Sequence, residues 1–277
     1  MRDITRHLPN VAGKRPSLVK KVLEWTPAYH ASHITGVTSA YDGSQIEGDF
    51  YTVPLFPQQI VGLERKFVLD RILEACRLAE KDGAQIVGLG GYTSVVGSAG
   101  QQVANAMDIA ITSGNSYTVA TAIEGATKAC QLLDLEVASS TAAVVGATGS
   151  IGGVCAKILA RSGVGKLILL GRSDQRLAKV AEEIHALSPG VDLEISTDIA
   201  SGVHRANLVV TCTSSGGDIL QPSIFQTGSV ICDVAVPHDV CREVAQLRPD
   251  VLVIEGGVCV APGENPRFNF DFGFPEG

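Results

Sequence analysis

The stretch Thr141-Ala-Ala-Val-Val-Gly146-Ala-Thr-Gly149-Ser-Ile-Gly152 decides the fold of this chain. The apolar, β-branched Val144 and Val145 are typical of a buried strand, and the glycines that follow predict a tight turn. Apolar residues beyond Gly152 recur at helical spacing, so the turn leads into a helix. Backbone N–H groups at a helix N-terminus, with no Cβ in the way, form an anion site suited to a pyrophosphate.

The glycine spacing is G-x-x-G-x-x-G, one residue longer in its first gap than the usual dinucleotide fingerprint. Taken alone, the triplet also fits a strand-to-helix turn that binds nothing. A second strand, residues 166–170, follows where a dinucleotide fold requires it, and this favours the cofactor interpretation. The candidate cofactor contacts in the turn are Gly146, Thr148, Gly149, Ser150, Ile151 and Gly152.

Arg172 follows the second strand, at the place where the strand tip of a dinucleotide fold meets the adenosine ribose. An Asp or Glu there would bond the ribose 2′-hydroxyl and favour NAD, whereas a guanidinium binds a 2′-phosphate in bidentate fashion. Ser173 can add a donor. We therefore predict NADP(H) as the cofactor, the alternative being that Arg172 is a solvated loop residue.

Composition excludes several classes of protein. The net charge of −7 and the lack of a basic stripe argue against nucleic acid as a partner. No apolar run reaches the roughly 18 residues of a membrane span, and the N-terminus lacks the apolar core of a signal peptide. The seven cysteines have no C-x-x-C spacing, which predicts reduced thiols of a cytoplasmic protein and no zinc site.

The strand and helix pattern predicts an α/β protein: a doubly wound, Rossmann-type parallel sheet preceded by a smaller α/β substrate domain. The polar segment 135–140 marks the expected boundary, with a substrate and catalytic domain over 1–134 and an NADP-binding domain over 135–277. We expect residues 262–277 to be irregular. The six predicted strands of the second domain are 141–146, 166–171, 191–196, 207–211, 229–234 and 251–255.

Two predicted strand ends in the first domain carry glycines with hydroxyl and amide side chains, Gly90–Ser94 and Ser113–Thr118. Ligands bind beyond the carboxyl ends of parallel strands, and such donors can hold a carbonyl oxygen as it gains charge. Ser94 and Asn115 are therefore candidate catalytic residues. Ordinary turn and helix-cap roles explain the same residues equally well.

The segment after the fourth strand of the second domain contains Cys212 and Thr213, near the expected position of the nicotinamide. Cys212 is a candidate nucleophile, although a packing role for a small buried thiol is the stronger alternative. Thr213 is a candidate cofactor contact. His238 fits an acid/base role less well than a surface or cap role. Four further cysteines lie in apolar runs and are expected in the core: Cys130, Cys155, Cys232 and Cys259.

Three motifs together point to a family: Ile86-Val-Gly-Leu-Gly-Gly-Tyr-Thr-Ser94, Thr112-Ser-Gly-Asn-Ser-Tyr-Thr118 and Val145-Gly-Ala-Thr-Gly-Ser-Ile-Gly152. In order and spacing, from about residue 34 to 257, the chain resembles the long-chain acyl-[acyl-carrier-protein] reductases and related shikimate-type predicted amino-acid dehydrogenases. The resemblance implies an NADPH-dependent reduction of an acyl thioester to an aldehyde, through an acyl group held on a cysteine.

In the acyl reductases that cysteine lies on a helix beyond the matched region, and Cys259 does not match it. The sequence as given ends where that helix would begin, so we expect the C-terminal helix region to be missing and thioester reduction to be poor. The Lys/Asp catalytic pair of shikimate dehydrogenases has no match in the first domain. The substrate predicted is a small molecule or an acyl group on a carrier protein, and a homo-oligomer stays open.

Three functions remain at this point. The first is an NADP-dependent oxidoreductase of the acyl-thioester type. The second is a dehydrogenase of a small hydroxy or amino acid. The third is a catalytically inactive NADP-binding protein.

Overall fold

The structure, a computed structural model, describes residues 13–257, 259–263 and 266–268. These residues form two compact units. The described residues up to Gly114, joined by those from Val260 onward, make the first unit, and Asn115–Cys259 makes the second. The division therefore falls about twenty residues before the expected segment 135–140, and the chain returns to the first unit after Cys259.

The first unit opens with helix α1 (Pro16–Trp25) and a hairpin of two antiparallel strands, β1 (Tyr29–Thr38) and β2 (Gln45–Thr52). A small apolar core under the helices includes Val68 and Val103, both fully buried. The other elements of this unit are α2 (Pro57–Gly62), α3 (Arg65–Lys81), β3 (Ile86–Gly88), α4 (Gln101–Ala104), β4 (Ala110–Thr112) and the late strand β11 (Arg267–Phe268).

The late strand corrects one prediction. We expected residues 262–277 to be irregular, and residues 264, 265 and 269–277 of this range lie outside the part of the chain that the structure describes. Within the described part, β11 pairs antiparallel with β1, with Ile34 opposite Phe268. A two-residue strand carries too short a pattern for alternation to be visible in the sequence. The partner strand supplies the hydrogen bonds that order it, and those bonds are a long-range property of the chain.

Strands β3 and β4 form a separate parallel pair, with Gly88 opposite Thr112. The Leu89 N–H extends this pairing by donating to the Thr112 carbonyl at 2.7 Å. The two carboxyl ends therefore lie at the same edge, as expected for the two glycine-containing strand ends. A 3₁₀ turn, Gly91–Ser94, follows β3.

The second unit is a doubly wound α/β fold, which confirms the predicted class. Its strands form one parallel sheet in the order β10-β9-β8-β5-β6-β7. The elements in chain order are α5 (Asn115–Leu132), β5 (Thr141–Val145), α6 (Gly152–Arg161), β6 (Lys166–Leu170), α7 (Asp174–Leu187), β7 (Asp192–Ser196), α8 (Ile199–His204), β8 (Leu208–Thr211), β9 (Val230–Asp233), α9 (Glu243–Leu247) and β10 (Leu252–Glu255).

The strand order reverses between β5 and β8, the neighbours on either side of the topological switch point. Both strands are buried on both faces, as a parallel sheet covered by helices requires. Ligands of such sheets bind beyond the carboxyl ends of the strands at this point. The glycine turn after β5 and the segment after β8 both lie there.

Helix α5 explains where the two units divide. Its buried face, including Ala122, Ala126 and Cys130, packs into the core formed with β5, β6 and β8. The sequence pattern placed this helix before the boundary because it follows directly on the first-domain strands. Its apolar stripe fits either neighbour, and only packing decides between them.

None of the helices in the described part of the chain is both long enough and apolar enough to cross a bilayer.

Candidate dinucleotide site

The glycine turn is held by the neighbouring strand. The Gly146 and Ala147 N–H groups both donate to the Leu170 carbonyl, at 2.9 and 3.1 Å, and the Gly149 N–H donates back to Gly146 at 2.9 Å. Gly146 has φ +84°, a left-handed conformation in which L side chains are strained. The chain therefore reverses from β5 into α6 within a few residues.

Packing inside the turn explains two of the glycines without any ligand. A Cβ on Gly146 would lie 3.0 Å from the Cys212 carbonyl oxygen. A Cβ on Gly152 would lie 2.4 Å from the Gly146 oxygen and 2.8 Å from the Cys212 sulfur. Gly149 is less crowded, since its nearest neighbour would be the Gly146 oxygen at 3.2 Å. The glycine triplet alone thus records a close turn and does not establish an anion site.

Two backbone N–H groups of the glycine turn are free to bind an anion. The N–H groups of Ser150 and Ile151 make no hydrogen bond to any other described residue. They stand immediately before α6, where the helix dipole adds partial positive charge. A pyrophosphate would satisfy both donors, so the turn fits the phosphates of a dinucleotide.

Three side chains at the tip of β6 suit a phosphate on the ribose. Arg172 is exposed, and its guanidinium has no partner among the residues described. Ser173 caps α7 by accepting a 3.4 Å hydrogen bond from the Arg176 N–H. The Arg176 guanidinium donates to the Thr148 carbonyl at 3.1 Å, which brings a second cation onto the glycine turn. Sequence reasoning missed Arg176, although a second arginine only four residues after Arg172 was a usable signal.

Asn115 also reaches the turn. Its side-chain amide donates to the Ser150 hydroxyl at 3.0 Å, within the second unit. We predicted a carbonyl-binding role for Asn115 on a strand end of the first domain. The structure places Asn115 at the start of α5, beside the glycine turn.

Asp239 is a buried carboxylate that sequence reasoning did not find. One oxygen accepts from the Thr211 hydroxyl at 2.6 Å and from the Thr213 N–H at 2.9 Å. The other accepts from the Thr213 hydroxyl at 2.6 Å and the Ser215 hydroxyl at 3.1 Å. Asp239 therefore shapes the segment after β8, the segment expected beside the nicotinamide. A lone Asp in a loop carries no sequence signal for this role.

The thiol of Cys212 lies under the glycine turn. It donates to the Val145 carbonyl at 3.4 Å, and the Cys212 N–H donates to the same oxygen at 3.1 Å. Burial raises the pKa of this thiol well above its usual value, which disfavours the thiolate that attacks a carbonyl. These contacts favour the packing role over the nucleophilic role.

His238 stands beyond β9 between two carboxylates. Its Nε2 lies 3.2 Å from Glu255 Oε1, and its Nδ1 lies 3.7 Å from the buried Asp233 Oδ2. Burial raises the pKa of Asp233, which also accepts from the Ala235 and Val240 N–H groups. This cluster orders the loop after β9 at the same edge of the sheet.

Cys130, Cys155 and Cys232 are buried as expected, but Cys259 is exposed. Cys259 follows the glycines that end β10, outside the sheet, so the apolar run around it does not continue into the core. The charge of the neighbouring Cys259, together with its hydrogen bond to the phenol, raises the pKa of Tyr117. Tyr117 is in the first turn of α5, two residues after Asn115.

Ser94 belongs to the first unit. Its hydroxyl donates to the Gly91 carbonyl at 3.2 Å, and the Thr93 hydroxyl donates to Gly90 at 2.7 Å. Both hydroxyls thus close the 3₁₀ turn after β3, as the turn alternative predicts. Each keeps acceptor capacity for a ligand.

The second unit therefore has the fold and the turn chemistry of a dinucleotide-binding domain. Residues 126–254 match the family model described as shikimate / quinate 5-dehydrogenase. This match confirms the predicted resemblance at the level of the shikimate-dehydrogenase-like, NAD(P)-binding superfamily. It covers the dinucleotide unit and not the first unit.

Three curated proteins extend the comparison. The chain is 31% identical over 230 residues to aminotransferase PigE of Serratia sp., covering 81% of this chain and 26% of that protein. It is 29% identical to the long-chain acyl-[acyl-carrier-protein] reductase of Synechococcus elongatus, over 80% of this chain and 65% of the relative. It is 28% identical to the glutamyl-tRNA reductase of Corynebacterium glutamicum, over 84% and 49%. The chain thus spans between a quarter and two thirds of these relatives' lengths.

Proposed function

We propose that this chain is the reductase part of an NADP(H)-dependent oxidoreductase that reduces an acyl thioester to an aldehyde. The observation that carries the proposal is the presence of two kinds of phosphate-binding group near the glycine turn. The Ser150 and Ile151 N–H groups of the turn are free, and two guanidiniums, those of Arg172 and Arg176, follow the neighbouring strand β6. The donors suit a pyrophosphate and the cations suit an additional phosphate.

The cofactor choice rests on charge at the tip of β6. No carboxylate stands at Arg172 or Ser173 to accept from a ribose 2′-hydroxyl. Arg172 would grip a 2′-phosphate, Ser173 would donate its hydroxyl, and Arg176 would close the other side. The pyrophosphate contacts in this proposal come from the glycine turn, Gly146 to Gly152, with Thr213 beside the nicotinamide.

The substrate class rests on the relatives. Two of them, by name, reduce an acyl group carried on a macromolecule: an acyl-carrier protein in one case and a tRNA in the other. Their similarity spans both units of this chain, whereas the shikimate / quinate match covers only the dinucleotide unit. An activated acyl group is therefore a better proposal than a small hydroxy acid.

The balanced reaction consumes one thioester, one NADPH and one proton, and yields an aldehyde, a thiol and NADP⁺. Bound NADPH would supply the hydride to the carbonyl carbon. The Ser94 hydroxyl donates to the Gly91 carbonyl and the Asn115 amide donates to the Ser150 hydroxyl, so neither is proposed as a donor to the substrate carbonyl. Because desolvation raises the pKa of the Cys212 thiol well above its usual value, this thiol is not proposed as the acyl acceptor.

Cofactor titration tests the proposed NADP(H) specificity. Wild type should bind NADPH about ten- to a hundredfold more tightly than NADH, and Arg172→Ala should remove most of that preference. The double variant Arg172→Ala/Arg176→Ala should remove the rest. Arg161→Ala, an exposed arginine at the end of α6, is the matched control. Equal affinity of wild type for the two cofactors contradicts NADP(H) specificity.

Measurements of turnover test the proposed reduction of an acyl thioester. We expect NADPH oxidation that depends on a long-chain acyl thioester and no acyl group on Cys212 by mass spectrometry. An acyl-Cys212 adduct would make that residue the catalyst. Oxidation of a small hydroxy or amino acid with NADP⁺, and none of NADPH with thioesters, supports the dehydrogenase alternative. NADPH binding without turnover on any of these substrates supports an inactive binding protein.

A further inference from the structure

Helix α1 presents large apolar side chains to solvent. Leu18, Val22 and Trp25 are 55%, 57% and 79% exposed, at spacings of four and three residues that place them on one side of the helix. Val19 and Leu23, on the adjacent side, are buried in the first unit. The helix therefore has a second apolar side that does not pack against the first unit.

Cations flank this exposed side. Lys14 and Arg15 make no ion pair with any described residue. Lys21 pairs with Glu24 at 2.9 Å, and the Lys20 ammonium lies 6.0 Å from the centre of the Phe56 ring. In sequence, the first 25 residues contain six Lys or Arg against two acidic residues, although the chain as a whole carries −7.

We propose that α1 docks this protein on an anionic phospholipid surface, an interaction beyond the proposed reductase activity. A short helix with Trp and Leu on one side and Lys or Arg beside them lies in the membrane interface, with its apolar side chains among the acyl chains. The indole of Trp25 suits the headgroup level, and the cations suit the charged lipids.

Charge argues against a second copy as the occupant. A twofold dimer through this face would place α1 of one copy against the same basic segment of the other. The cations of both copies, Lys14 and Arg15 among them, would then lie in one interface, and like charges gathered at an interface oppose association. A bilayer needs no matching groove, only apolar side chains and cations on one side of a helix.

The single tryptophan of the chain makes the test direct, because Trp25 is the only source of tryptophan emission. The full chain is mixed with vesicles of phosphatidylglycerol and phosphatidylcholine. We expect a blue shift, quenching by brominated lipid, and co-sedimentation that weakens with salt. Pure phosphatidylcholine vesicles should bind several-fold less protein, since each basic residue contributes about fivefold on an anionic surface.

A matched pair of variants locates the surface. Arg15→Glu/Leu18→Ser should lower vesicle partitioning by at least about tenfold. Lys128→Glu/Leu132→Ser makes the same changes on the exposed side of α5, where Leu132 is 74% exposed, and should leave partitioning within about twofold. NADPH affinity should be unchanged in Arg15→Glu/Leu18→Ser, which separates this inference from the proposed reductase function.

Several outcomes overturn the proposal. The first is wild-type emission and sedimentation that vesicles do not change. The second is equal loss of binding in the two double variants. The third is a Trp25 shift that follows protein concentration without lipid, which assigns the face to a second copy. The fourth is a shift produced by a purified acidic carrier protein and not by vesicles, which assigns the face to a protein partner.

Discussion

The side-chain amide of Asn115 donates a 3.0 Å hydrogen bond to the hydroxyl of Ser150, thirty-five residues further along the chain. This contact joins the first residue of α5 to the turn that presents free backbone donors for a pyrophosphate. Helix α5 therefore packs into the core of the second unit and also contacts its glycine turn. For this reason we expect the charge at position 115 to affect cofactor binding.

Substitutions of Asn115 should lower the affinity for NADPH, and one of them should do so without lowering thermal stability. Asn115→Ala removes the hydrogen bond to Ser150 and should weaken NADPH binding by about fivefold, or about 1 kcal/mol. Asn115→Asp should weaken it further, because a carboxylate would repel the phosphates. The same Asp at a helix N-terminus should not lower thermal stability. Titration and melting of both variants check this, and tighter binding by the Asp variant would exclude a pyrophosphate at the turn.

Two glycines of the turn should respond differently to substitution. Gly152→Ala should destabilise the second unit by about 1–3 kcal/mol, because its Cβ meets the Gly146 oxygen and the Cys212 sulfur below contact distance. Gly149→Val should leave the unit folded and abolish NADPH binding, because the side chain takes the place of the phosphates. Circular dichroism and cofactor titration distinguish the two. A folded Gly149→Val protein with normal NADPH affinity would place the phosphates elsewhere.

Removing the Asp239 carboxylate should loosen the segment after β8. Asp239→Asn replaces one acceptor oxygen by a donor that faces hydroxyl and N–H groups, and should cost about 1–3 kcal/mol of unfolding free energy. It should also weaken cofactor binding through Thr213. Glu182→Gln, on the exposed side of α7, makes the equivalent change where no partner is lost. Equal denaturant midpoints for the two variants would show that the network contributes nothing.

The β1–β2 hairpin should respond to pH. Asp49 Oδ1 accepts from His30 at 2.7 Å and from His33 at 2.8 Å, a sharing that the bulge between His30 and Ser32 permits. The hydrogen bond to Asp49 raises the pKa of His33 above 6.5, and hydrogen bonds from the two imidazoles lower the pKa of Asp49 below 3.8.

The two pKa shifts stabilise the fold in different pH ranges. A raised His33 pKa stabilises the fold below pH 6.5, and this contribution is lost as pH rises through the folded-state pKa. A lowered Asp49 pKa stabilises the fold above pH 3.8, and that contribution is lost as pH falls through the folded-state value. The melting temperature difference between wild type and Asp49→Asn should thus be largest between 3.8 and 6.5. An NMR titration of His33 unaffected by Asp49→Asn contradicts the assignment.

Local patterns in the sequence determined the strand-turn-helix at residues 141–152 and all six strands of the parallel sheet. These features depend on interactions within a few residues, namely β-branched runs and glycine conformations. The sequence also places Arg172 directly after the second strand of that sheet, and its binding of a ribose 2′-phosphate stays a prediction.

Tertiary structure alone decided the rest. Arg176 meets Thr148, and Asp239 meets Thr211, each across 28 residues. The unit to which α5 belongs and the return of β11 to β1 depend on which surfaces pack together. No local preference encodes such contacts, because each requires a crossover to bring distant residues to one edge of a sheet. The contact between the Cys212 thiol and the Val145 carbonyl has the same origin, since it follows from the approach of the segment after β8 to the glycine turn.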